Sequence, residues 1–166
     1  EINGSGDLAL TGAISGSGGL VKDGTGTTPL PAAPSYSGTT SINGGTLVFQ
    51  DAAIVTTGVN FNHVIASGAT LEYNVTTGSS NDPTALDVSG AGTFKKTVAG
   101  TFSLISSQSD WAMASGGLIH VEAGTFSFGG GTPGRWGNNL GDMLIDSGAI
   151  FEGRSTSIVI DALDGE

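Results

Sequence analysis

The sequence contains no cysteine, which excludes a disulfide framework, a thiolate-ligated zinc cluster and a thiol nucleophile. Stability has to come from packing. Basic residues are almost as scarce, with 5 Lys and Arg against 15 Asp and Glu and a formal charge of -10. Neutralising phosphates requires clustered Lys and Arg, so nucleic acid and anionic membrane surfaces are not expected partners. No apolar run approaches the roughly 18 residues of a membrane helix. The opening Glu1-Ile2-Asn3-Gly4-Ser5-Gly6 lacks the basic start and apolar stretch of a secretory signal. Both ends carry the glycine-rich pattern of the interior, which leads us to expect a single module, residues 1–166, excised from a longer multimodular protein.

Glycine is abundant instead, 29 of 166 residues, against a usual share of about 7%. The hydrophobic fraction of 37% is too high for disorder, and the glycine content too high for helices. A short phrase recurs in which Gly and a small residue precede a large apolar one. Examples are Gly44-Gly45-Thr46-Leu47, Gly68-Ala69-Thr70-Leu71, Gly100-Thr101-Phe102 and Gly124-Thr125-Phe126. The large residues fall into two registers. Leu47, Leu71, Phe94 and Leu118 are 24, 23 and 24 residues apart, and Phe102, Phe126 and Phe151 are 24 and 25 apart. A fixed period in this range marks a solenoid.

Thr46–Phe49, Thr70–Val75, Leu118–Val121 and Thr125–Phe128 alternate apolar and polar residues and are rich in β-branched and aromatic side chains, which predicts short strands. Turn-forming Gly, Ser, Asn and Asp bound each of them. The pattern predicts an all-β fold, a right-handed single-stranded parallel β-helix with about seven coils of ~24 residues. Parallel strands stack about 4.8 Å apart, so residues one period apart form inward ladders. The step from Leu20 to Leu47 is 27, and residues 28–34, which hold three of the prolines, predict a loop bulging from that corner.

The stretch Gly16-Ser17-Gly18-Gly19-Leu20-Val21-Lys22-Asp23-Gly24-Thr25-Gly26, continued by Tyr36-Ser37-Gly38-Thr39-Thr40-Ser41-Ile42-Asn43-Gly44-Gly45-Thr46-Leu47, resembles the autotransporter-associated β-strand repeat. The proline segment stands where that family has its second strand. The resemblance implies a parallel β-helix in the passenger region of a secreted or surface protein, acting as stalk, adhesin or secretion-supporting scaffold. It supplies no active-site residues.

Trp111 and Trp136 are 25 residues apart, the step from Phe126 to Phe151, and fall in segments rich in turn-forming residues, 106–111 and 129–139, which predicts loops at equivalent corners of adjacent coils. Exposed, the two indoles would form a strip for stacking sugar rings, with Gln108, Asp110, Arg135, Asn138 and Asn139 as hydrogen-bonding neighbours. Packed together, they would instead close a corner of the core. Glu122 and Asp146, 24 apart, are expected to be neighbours, a spacing open to acid and base chemistry, to calcium or to plain surface charge. Glu72, Lys96 and His120 are expected to form an outward charge-balancing column. His63 and His120 are too far apart in the repeat to share a metal. No Gly-x-Ser-x-Gly elbow or phosphate loop is present, and no metal-ligand set or cofactor is implied.

The resulting expectation is a non-catalytic extracellular module, on a bacterial surface or secreted. Its partners would be a polysaccharide or cell-surface glycan and the neighbouring modules of its parent protein. The alternatives are a spacer without a ligand and a polysaccharide lyase or glycoside hydrolase.

Overall fold

Alternating segments between glycine-rich turns become short strands, and every strand pairing among the described residues is parallel. The computed structural model describes residues 1–54, 60–76, 79–81, 85–104, 109–128, 136, 139–153 and 158–165. Successive strands join different sheets, so the chain winds as a parallel β-solenoid with three principal faces. The first face contains Leu20–Lys22, Thr40–Ile42, Asn60–Ile65, Ala85–Gly90 and Trp111–Met113. The second contains Thr27–Leu30, Thr46–Gln50, Thr70–Asn74, Thr93–Thr97, Leu118–Val121, Asp142–Ile145 and Leu163–Gly165. The third contains Ser79–Asn81, Thr101–Leu104, Thr125–Phe128 and Ile150–Gly153. Ser15–Gly16 and Ser35–Tyr36 form a separate pair near the start.

The first face, with five strands, counts about five turns rather than the seven expected from length. Among the described residues the second face has seven strands and the third has four. The first coil is also shorter than the repeat, because Ser15 lies opposite Ser35 and Leu20 opposite Thr40.

Stacking buries the apolar side of the strands inside the stack, whereas Leu163 at its end stays exposed. Phe102, Phe126 and Phe151 occupy successive positions of one column, with ring centroids 5.6 Å apart at both steps. That ladder is the expected one. The second begins as expected, with Leu47 opposite Leu71 and Leu71 opposite Phe94. It then departs, because Ile119 and not Leu118 lies opposite Phe94, and Met143 continues the column. Ile119 is fully buried while Leu118 is half-buried. One residue of register turns every side chain of a strand to the opposite face, and here the turn at 114–117 is two residues longer than its counterpart at 91–92, while the step from Val88 to Trp111 is only 23 residues.

The proline segment also differs from expectation. Thr27–Leu30 is a second-face strand, with Pro29 opposite Val48. The Pro29 carbonyl accepts the Leu10 N–H at 3.4 Å, so its side of the backbone faces the sheet edge, where a missing N–H removes no ladder bond. The 27-residue step from Leu20 to Leu47 therefore holds no bulge. The two residues lie on different faces.

Candidate functional site

Trp111 opens the last strand of the first face, opposite Val88, and Trp136 stacks on it with centroids 5.3 Å apart and planes 6° from parallel. The one-coil spacing holds, but the exposed strip does not. Both indoles are fully buried, among Phe94, Phe126, Phe128 and Phe151. The reason is parity. Trp111, Met113 and Val88 all face the core, so the ring enters the same interior as the phenylalanines of the second and third faces.

Asn139 is likewise buried rather than displayed. Its amide N–H groups are used on the carbonyls of Gly141 and Val159, at 3.2 and 3.0 Å, which ties two coils together. Asp110 is half-buried at the entry to the Trp111 strand, and its backbone N–H donates to Asp87 Oδ1 at 2.8 Å. Gln108, Arg135 and Asn138 lie outside the described residues.

On the outside of the second face the charged column contains Glu72, Lys95 and His120. Lys96 does not belong to it. Two residues beyond the inward Phe94, it also points inward, between Tyr73 and Val121. The Lys95 ammonium pairs with Glu122, and His120 Nε2 lies 2.9 Å from Asp146 Oδ1. Glu122 and Asp146 are neighbours as their spacing required. With His120 they bring one ligand atom each to within 4.8 Å of one another.

Several polar groups are buried that the sequence either placed outward, as with Lys96, or did not place. Lys96 is fully buried, yet its Nζ donates to the carbonyls of Thr97, Val98 and Ala123 at 2.7, 2.8 and 3.0 Å. Loss of water around the ammonium lowers its pKa to about 8. Lys22 repeats the device at another corner, donating to the carbonyls of Gly24 and Gly44. These ammonium groups cap carbonyls that the turns leave unpaired. The signal was present in Leu20-Val21-Lys22, since a residue two beyond an inward leucine shares its face.

His63 is the third such group. It is stacked on Phe61 and set edge-on to Phe49, with Nε2 3.1 Å from the Tyr73 hydroxyl. Burial lowers its pKa to about 3 and raises that of Tyr73, so both are neutral at pH 7.

Residues 20–49 match the family model of the passenger-associated transport repeat. The matched stretch begins with the Leu20–Lys22 strand and ends in the Thr46–Gln50 strand. No curated protein and no solved structure matches the chain. The repeat match and the parallel solenoid together support a passenger-type structural module.

Proposed function

We propose that this module is a non-catalytic shaft of an extracellular passenger region, which holds its inter-face connections toward a polysaccharide or cell-surface glycan. The observation that carries the reading is continuity. The column containing Leu47, inside the matched repeat, runs without a break through Leu71, Phe94 and Ile119 to Met143. One architecture therefore extends from the transport repeat across most of the chain, and no coil buries its apolar side alone.

The buried indoles give the glycan reading a different form from a stacking strip. They back a corner, and polar side chains on the connections that leave the third face would meet the hydroxyls. Asp110 is half-buried there, and Gln108, Arg135 and Asn138 belong to the same connections by sequence. Neighbouring modules of the parent protein would be the remaining partners.

A glycan array probed with the wild-type chain and with Arg135→Ala and Asn138→Ala tests the proposal. Retention that falls in the variants supports recognition at this corner. No retention at all leaves a shaft without a ligand. Release of reducing or unsaturated ends from uronate or xylan polymers would overturn the non-catalytic reading.

A further inference from the structure

We propose that His120, Glu122 and Asp146 form a zinc-class divalent cation site that staples two successive coils on the outside of the second face. The donors are one imidazole nitrogen and two carboxylate oxygens, all within 4.8 Å of one another. Backbone geometry fixes where they start. His120 and Glu122 are two residues apart and flank the inward Val121. The Asp146 N–H donates to the Val121 carbonyl at 3.0 Å, which holds Asp146 one coil further along, next to Glu122.

Closure around an ion needs side-chain rotation only. With zinc bonds of about 2.0–2.2 Å, the ligand atoms of a tetrahedral site lie roughly 3.3–3.6 Å apart. His120 Nε2 and Asp146 Oδ1 are already 2.9 Å apart and would open slightly to admit the ion. The donor set selects the metal class. Calcium and magnesium take oxygen shells, whereas an imidazole with carboxylates suits zinc, cobalt or nickel. Three protein ligands leave a fourth position for water.

A second observation points the same way. The Lys95 ammonium already rests against Glu122, and Lys95 lies opposite His120 in the ladder. A cation is thus drawn to this point by the chain itself. Lys95 is also a built-in competitor, because metal binding must release it from Glu122. The bland alternative is two unrelated surface pairs, Lys95 with Glu122 and His120 with Asp146, each contributing little.

Calorimetric titration of metal-free protein with zinc chloride at neutral pH distinguishes them, with cobalt absorbance as a ligand-field readout. One equivalent of zinc should bind and raise the Tm. His120→Ala and Asp146→Asn should each weaken binding by about tenfold or more, and Glu122→Gln, nearly isosteric, should weaken it with the fold unchanged by circular dichroism. Lys95→Met should tighten it. Absence of zinc-dependent heat in the wild type, or equal affinity in the wild type and His120→Ala, would overturn the proposal.

Discussion

The indole of Trp111 lies flat on that of Trp136, 5.3 Å between centroids, and neither ring reaches solvent. The pair joins two coils and contacts Phe94, Phe126 and Phe128. Trp111→Ala should therefore act on stability, with a loss of about 3–5 kcal/mol in urea unfolding followed by circular dichroism. Trp111→Phe should cost clearly less, because the indole N–H is buried with no partner among the described residues and phenylalanine removes that unsatisfied donor. In the wild type, tryptophan fluorescence should resist acrylamide quenching. Ready quenching would contradict the buried stack.

His63 makes stability depend on pH in a defined direction. Its folded pKa is about 3, while an unfolded histidine titrates at about 6.5. Between these values the unfolded chain binds a proton that the folded chain refuses. The contribution is therefore complete above about pH 6.5 and is lost toward pH 3, at about 1.4 kcal/mol per pH unit. Urea midpoints at pH 7, 6 and 5 should fall more steeply in the wild type than in His63→Gln. From pH 6 to 5 the wild type should lose about 1 kcal/mol more than the variant. Parallel curves would show that His63 titrates normally in the fold.

Much of this fold was legible because a solenoid writes its packing into sequence spacing. Phe102, Phe126 and Phe151 stack as their 24- and 25-residue steps required. What misled was parity within a strand. Placing Phe94 inward and Lys96 outward contradicts the two-residue period of a strand, yet an inward lysine is an unfavourable prior. The carbonyls of Thr97, Val98 and Ala123 resolve that conflict, and they come from turn geometry that no residue type announces. Trp111 was mislocated for a related reason. Its neighbours Ser109 and Asp110 suggested a loop, but Ser109 is itself buried, its hydroxyl accepting the Leu86 N–H at 3.0 Å. The cluster at His120 was only half visible. The spacing of Glu122 and Asp146 gave that pair, while His120 and Lys95 joined it through a register shift of one residue at Leu118.

Lys96 should be harder to replace than a surface lysine. Lys96→Met keeps the buried stem and removes the donors, leaving three carbonyls without their ammonium. The expected loss is about 1–3 kcal/mol, read from urea midpoints at pH 7. Lys95→Met, on the outward side of the same strand, should change stability by about 0.5 kcal/mol or less. Equal effects of the two substitutions would mean that the carbonyl cage contributes nothing.

The corner glycines separate two costs that are usually measured together. Gly124 has φ of +70°, and a Cβ there would lie 2.4 Å from the Gly100 carbonyl oxygen of the preceding coil. Gly116 has φ of +82°, but a Cβ there would meet nothing within 4 Å. Alanine at Gly116 therefore adds only the left-handed backbone penalty, about 1–2 kcal/mol. Alanine at Gly124 adds the same penalty and also pushes two coils apart. Backbone cannot rotate away as a flexible side chain can, so Gly124→Ala should cost more than Gly116→Ala by about 1 kcal/mol or more. Gly18→Ala, with open space and no positive φ, is the control and should be neutral or slightly stabilising through the unfolded chain. Urea unfolding of the three variants gives the order directly. If Gly116 and Gly124 prove equally tolerant, close approach between coils is not what selects glycine at these turns.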